Sequence, residues 1–337
     1  MDLPSKVKLR EVAPRDGFQS LKNFLPTEQK LQVIESLVKA GVKDIEATSF
    51  VSPKAIPQLR DAADLMALVP RRGVSHAAMV PNLRGAQDAI AAKADQLVVV
   101  ISATEAHNQE NVRRRIDESL GDLDAIFSLA KEKDTPVIGA LAVSFGCPYQ
   151  GDVAEKDVFR IVDEYISRGA VSIILADTTG MTTPTRVELM VLKFRERFPG
   201  VEFTLHFHNN RGTAMANLLS SLMAGATSFD TALGGIGGCP YVPQAAGNLP
   251  TEDVVYMLED MGVSTGIDLE KLIQAAHLLE QFVVVGELVP VDVPVRKPGQ
   301  RFPLFVVLVQ GLKVGQYIRG VDEDRHAQFT SPGPQGI

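Results

Sequence analysis

The chain has 337 residues, with 34 Lys+Arg against 41 Asp+Glu, a formal net charge of −7, and 45% hydrophobic residues. That apolar content excludes a disordered chain, and ordinary Gly and Pro usage excludes collagen-like or low-complexity sequence. The acidic balance argues against a dedicated nucleic-acid binder, which carries a basic face.

Two cysteines, Cys147 and Cys239, make no disulfide framework and point to a reducing compartment. No apolar run reaches the ~18–20 residues of a membrane span. The start, MDLPSKVKLREV, lacks the charged-then-apolar pattern of a secretion signal. The expectation is a cytoplasmic protein with no membrane and no nucleic-acid partner.

Short β-branched runs alternate with longer amphipathic segments. Strands are predicted at 7–11, 43–47, 74–79, 96–101, 136–143, 172–176, 202–207 and 228–232. Helices are predicted between them at 27–40, 109–132, 154–169, 184–198 and 213–224. Thr27 and Thr183 stand where helices begin, and Gly41, Gly169 and Gly225 where they end. Eight such repeats predict an α/β protein with a (β/α)8 TIM barrel, for which ~250 residues are usual; a doubly wound open sheet uses the same alternation. Two further helices are predicted at 251–261 and 268–282. The barrel with these helices occupies 1–282, and 283–337, rich in proline and without a period, reads as an irregular C-terminal extension.

Barrel enzymes act at the C-terminal ends of their strands, so the polar residues there are the candidates. Glu11 leads into Arg15-Asp16-Gly17. The second strand ends in Glu46, Thr48 and Ser49, the sixth in Asp177-Thr178, the seventh in His206-Phe207-His208-Asn209, and the eighth in Asp230-Thr231. In a strand, residues i and i+2 share a face, so His206 and His208 form a ready pair of metal ligands. Taken alone, the pair reads equally well as two hydrogen-bonded histidines without a metal; with the oxygen donors of Asp16 and Asn248 they suit octahedral Mg²⁺ or Mn²⁺. Arg15 suits stabilisation of an oxyanion or enolate, or an ion pair with Glu46 or Asp177. The loop GGIGGCPYVPQAAGN (234–248) carries Cys239, and its glycines imply mobility or a close backbone approach. His107 and Asn108, after the fourth strand, are possible substrate contacts.

EVAPRDGFQ (11–19), IEATSFVSPK (45–54), GCPYQG (146–151), ADTTG (176–180), LHFHNNRG (205–212) and GGIGGCPYVPQAAGN with the run that follows (234–259) together resemble the 3-hydroxy-3-methylglutaryl-CoA lyase family. The resemblance covers about residues 6–282. It implies a metal-dependent carbon–carbon lyase that releases acetyl-CoA and acetoacetate, with CoA as part of the substrate, a homodimeric assembly and a place in leucine degradation. Asp16, His206, His208 and Asn248 match the family's metal ligands. Arg15 matches its enolate-stabilising arginine and Cys239 its proton-transferring loop cysteine. Glu46 and Asp177 match carboxylates that shape the site, and Glu252 an acidic residue near the ligating asparagine. His206, with Asp177 assisting, is expected as the base. Gln19, Ser49, Thr178 and Glu252, with Arg15, are expected to contact substrate. Asn209, where animal members carry Asp, and the run 178–183 depart from the family pattern and leave a related substrate such as citramalyl-CoA open. A condensing synthase on the same scaffold is opposed by the missing Gly-Glu-Arg run.

Overall fold

A computed structural model of the chain describes residues 3–238 and 247–284. Cys239 and nearly all of the expected extension 283–337 lie outside the described residues.

The eight strands are β1 (Lys8–Glu11), β2 (Asp44–Ser49), β3 (Ser75–Met79), β4 (Gln96–Ser102), β5 (Val137–Ala142), β6 (Ser172–Asp177), β7 (Glu202–Phe207) and β8 (Ser228–Thr231). They pair in parallel in sequence order and close, β8 back onto β1, with Lys8 opposite Ser228 and Glu11 opposite Thr231. The predicted TIM barrel is therefore observed, and the open sheet is excluded.

The helices are α1 (Thr27–Lys39), α2 (Ala62–Leu68), α3 (Leu83–Ala91), α4 (Glu105–Val112), α5 (Ile116–Glu132), α6 (Glu155–Ser167), α7 (Pro184–Arg197), α8 (Ala214–Met223), α9 (Thr251–Asp260) and α10 (Leu269–Val284). Each long helix turns a 3.6-residue stripe to the sheet. In α6 the stripe is Val158, Ile161, Val162 and Tyr165, all buried. Gly41, Gly169 and Gly225 close their helices with φ between +94° and +101°, a conformation natural to glycine alone. Thr183 precedes α7 as expected, with Pro184 as its first residue. Thr27 does not cap α1. Pro26 holds that position, and the Thr27 hydroxyl instead donates to Asp61 Oδ2 at 2.7 Å. The predicted helix 109–132 is two helices, because Arg113 takes a left-handed φ of +57° and breaks the chain direction.

Two apolar cores result. A large one lies between the sheet and its helices, and a small one, built on Ala77, Val98, Ile138, Ala140 and Ile174, fills the barrel along β3–β6. The wall made by β1, β2, β7 and β8 is polar inside: Arg10, Asp44, Glu46, Thr204, His206 and Asp230 are all buried.

Lys30 sits in the buried stripe of α1 beside Val33, Ile34 and Leu37. Its ammonium donates to Asp61 Oδ1 at 2.5 Å and to the Gln58 carbonyl at 2.6 Å, and lies 4.5 Å from the Phe24 ring centroid. Gln58 in turn donates to the Leu21 carbonyl. This cluster ties together the loops that follow β1 and β2. Removing one partner of a buried ion pair strands the other charge, so Asp61→Ala is expected to cost about 3–5 kcal/mol of stability, measured by urea denaturation. A loss under 1 kcal/mol would show that the pair is dispensable.

Candidate metal centre

Parity delivers the histidines. Leu205 and Phe207 of β7 pack in the outer core, while Thr204, His206 and His208 face the barrel axis. His206 Nε2 and His208 Nε2 are 2.9 Å apart. Asp16 arrives from the other side of the closure, on a π-helical turn, Ala13–Gly17, that follows β1 directly. His208 Nε2 is 3.6 Å from Asp16 Oδ2. Among the described residues these three side chains form a group of metal-ligating type whose donor atoms all lie within 4.8 Å of one another, each residue buried.

Asn248 completes the cluster. It pairs with His208 in a short antiparallel bridge, and its Nδ2 donates to Asp16 Oδ2 at 2.7 Å and to the Ile236 carbonyl at 3.0 Å. A half-turn of the amide exchanges nitrogen for oxygen, so the same side chain can offer Oδ1 to a cation. The four sequence-predicted ligands are thus brought together. Gly237 explains part of the glycine-rich run: its φ is +122°, and a Cβ there would lie 2.2 Å from Asn248 Nδ2 and 2.8 Å from Asp16 Oδ2. The backbone needs glycine in order to pass the ligands.

Arg15 bridges two carboxylates, Nη1 to Asp16 Oδ1 at 2.7 Å and Nη2 to Glu46 Oε2 at 2.9 Å. Among the described residues its Nε–H and Glu46 Oε1 are buried without a hydrogen-bond partner. The ion pair with Glu46 is as expected; Asp177 is not its partner. Burial alone would raise the Asp16 pKa, but Arg15, His208 and His206 together hold it well below the ordinary carboxylate range. Asp16 is therefore an anion at any physiological pH, as a hard-cation ligand must be. Burial would lower the His206 pKa, but the hydrogen bond and charge of Asp230 raise it.

The remaining candidates divide. Asp177, fully buried, accepts from Met181 N and Thr182 N, and burial, outweighing those bonds and the charge of His208, raises its pKa. Ser49 Oγ is buried and, among the described residues, has no hydrogen-bond partner; Gln19 is half-buried just after the π-helical turn. Two further expected substrate contacts also bond to the frame. Thr178 Oγ1 accepts from Val143 N at 2.9 Å, holding a β-branched residue at the unusual φ of +53°. Glu252 accepts from Gly234 N with both oxygens, at 3.0 and 3.1 Å. His107 bonds Ser102 Oγ, and Asn108 is consumed by Ser102 N, the Arg114 carbonyl and Ser119 Oγ.

Glu11 is a residue whose importance only the structure reveals. Oε1 accepts from Ala13 N and Leu233 N, and Oε2 from Thr251 Oγ1. One carboxylate therefore fastens the Asp16 turn, the entry to the glycine-rich loop and the start of α9. Burial, against those three hydrogen bonds, pushes its pKa up to about 7, and that of Glu252 up to about 8. A carboxyl raised on folding stabilises the native state below its unfolded pKa, and that contribution is lost as pH rises through the folded value. Wild-type stability is expected to fall between pH 4.5 and 8. Glu11→Gln should flatten that fall by about 3 kcal/mol, read from denaturation curves at pH 5 and pH 8. An unchanged slope would mean that Glu11 is ionised in the native protein throughout.

Comparison with known proteins follows the same lines. The family pattern described as HMGL-like matches residues 6–279. The chain is 42% identical over 282 residues to the hydroxymethylglutaryl-CoA lyase YngG of Bacillus subtilis, covering 83% of this chain and 94% of that protein. It is 38% identical over 280 residues to the human mitochondrial hydroxymethylglutaryl-CoA lyase, covering 83% and 86%. Among solved structures, the Bacillus subtilis HMG-CoA lyase superposes with a TM-score of 0.82 at 41% identity, covering 87% of this chain and 98% of that one. An Acinetobacter baumannii HMG-CoA lyase in complex with coenzyme A and 3-methylmalate superposes with a TM-score of 0.80 at 38% identity and the same coverages.

Proposed function

The chain belongs to the HMGL-like family, and from that premise we propose that it is a metal-dependent lyase that cleaves 3-hydroxy-3-methylglutaryl-CoA to acetyl-CoA and acetoacetate. The observation that carries this reading is the convergence of Asp16, His206 and His208 within 4.8 Å at the mouth of the barrel, with Arg15 seated on Asp16. Two imidazoles, a carboxylate and an amide oxygen from Asn248 are donors that would hold Mg²⁺ or Mn²⁺. When bound, such an ion polarises substrate oxygens and fixes their orientation.

The protein's own groups account for the rest. The substrate's 3-hydroxyl gives up its proton, the C2–C3 bond breaks, the tertiary carbon becomes the ketone of acetoacetate, and the bond pair passes to the acetyl thioester as its enolate. His206 has Nδ1 on Asp230 and Nε2 turned towards His208, so as a ligand it has no nitrogen left for that proton. Asp177, buried and raised in pKa, is the acceptor. Arg15 spends one N–H of Nη1 on Asp16 and one of Nη2 on Glu46 and keeps its other N–H groups, that on Nε among them, for the negative oxygen of the enolate. Protonation of the enolate carbon falls to the loop cysteine, Cys239. Burial of Arg15, Asp16, His206 and His208, none more than 8% exposed, keeps bulk water from the enolate and strengthens each charge interaction.

The test is a coupled assay with 3-hydroxy-3-methylglutaryl-CoA and citramalyl-CoA side by side, on EDTA-stripped protein and after adding back Mg²⁺ or Mn²⁺. Turnover of the first substrate, lost on stripping and restored by either ion, is expected. Preference for citramalyl-CoA would transfer the assignment to that substrate, and full activity in EDTA would remove the metal from it.

A further inference from the structure

Arg10 is one of the largest fully buried side chains of the described residues, 2% exposed, and the chemistry above does not use it. It lies in the middle of β1, where a strand of this fold ordinarily presents an apolar residue to the barrel axis. The register explains its company. Arg10 is directly opposite Asp230 of β8, and Asp230 is directly opposite His206 of β7. The three side chains therefore stand abreast on one level, across three neighbouring strands. Asp230 uses its two oxygens separately: Oδ1 is 3.6 Å from Arg10 Nε, and Oδ2 is 3.1 Å from His206 Nδ1. Arg10 Nε also lies 3.9 Å from Asp44 Oδ2. Among the described residues, Arg10 Nε and Nη1 have no hydrogen-bond partner, so towards Asp230 the guanidinium acts as a fixed counter-charge and not as a donor.

We infer that Arg10 is a positioning residue: through Asp230 it fixes the ring and tautomer of His206, so that Nε2 faces the cation. The inference rests on the reading of His206 as a metal ligand. A ligating histidine depends on the group that receives its other N–H, and loss of such a partner typically costs 10–100-fold in metal affinity. A buried carboxylate without an opposing charge does not hold its place. Asp44 has a second cation, the Lys8 ammonium at 2.8 Å, whereas Asp230 is offered Arg10 on one side and His206 on the other. Arg10 is thus the counter-charge that lets an anion lie against Nδ1.

Three variants of the full chain test this: Arg10→Met, Arg10→Lys and Asp230→Asn. Mn²⁺ affinity is measured by titration calorimetry on EDTA-stripped protein, and the His206 tautomer by ¹⁵N-imidazole NMR of the metal-free protein. Arg10→Met should weaken Mn²⁺ binding about tenfold or more and mix the tautomers of His206. Arg10→Lys should restore most of both. In the double variant Arg10→Met with Asp230→Asn, the loss should be no larger than in Asp230→Asn alone, because the two act in series. If Arg10→Met does not fold, Arg10→Gln takes its place in each comparison. Wild-type affinity with an unchanged tautomer in Arg10→Met, or additive losses in the double variant, would overturn the inference. Wild-type protein that shows the fixed tautomer but binds no Mn²⁺ would instead overturn the metal reading on which it rests.

Discussion

Arg15→Met in the metal-loaded enzyme is expected to lower kcat by about 10²–10³-fold, the usual cost of a missing group that stabilises a developing anion. Methionine keeps most of the volume of the arginine stem and none of its charge. Three effects combine. The enolate oxygen loses the Nε–H that nothing else among the described residues claims. Asp16 loses the cation at 2.7 Å that holds its pKa down. Glu46 is left as a buried carboxylate with neither oxygen paired. The last two weaken the protein and its hold on the ion, so the assay must be run at saturating Mg²⁺ on protein whose melting transition has been checked. Under those conditions the deficit should fall on kcat, with KM moving much less. A folded variant that turns over within tenfold of wild type would remove Arg15 from the chemistry.

His208→Ala should abolish measurable turnover and raise the Mn²⁺ dissociation constant at least about 100-fold, beyond what loss of an outer partner causes. Its Nε2 stands 2.9 Å from His206 Nε2 and 3.6 Å from Asp16 Oδ2, so one truncation opens the group on two sides. His107→Ala is the control. That imidazole is also buried, but it bonds Ser102 Oγ at the end of β4. It should lose stability and keep its affinity for Mn²⁺. Equal losses of affinity in both variants would mean that the effect is general destabilisation and not removal of a ligand.

Much of this arrangement was legible before any coordinates. Eight β-branched runs with helical intervals favour a barrel over a doubly wound open sheet, and the structure shows the closure. The rule that chemistry gathers at strand ends selects Asp16, Glu46, Asp177, His206 and His208 without reference to any relative. What was not legible has physical causes. Helices α2 and α3 are short, 7 and 9 residues, too few turns for a periodic stripe to stand out. The break at Arg113 depends on a left-handed residue that is not glycine. Thr27 looks like a cap because a hydroxyl's partner, here Asp61, cannot be read from its neighbours in sequence. The roles of Glu11 and Arg10 were hidden for a deeper reason. Each has a partner more than 200 residues away in sequence, Glu11 in Leu233 and Arg10 in Asp230, and only closure of the sheet puts them in register. A charged residue in mid-strand facing two acidic strands is the signal that could have exposed Arg10.

That closure has a consequence for synthesis on the ribosome. β1 is made about 220 residues ahead of β8, yet its second hydrogen-bonding edge is met only by Ser228–Thr231. At usual elongation rates of 5–20 residues per second, the nascent chain carries an open edge for on the order of 10–40 s. Throughout that interval the edge can pair with a neighbouring polypeptide. Asp16 cannot meet its imidazoles before the same stitch is drawn. A translation product that stops short of Ser228 therefore lacks the strand that brings Asp16 to the imidazoles.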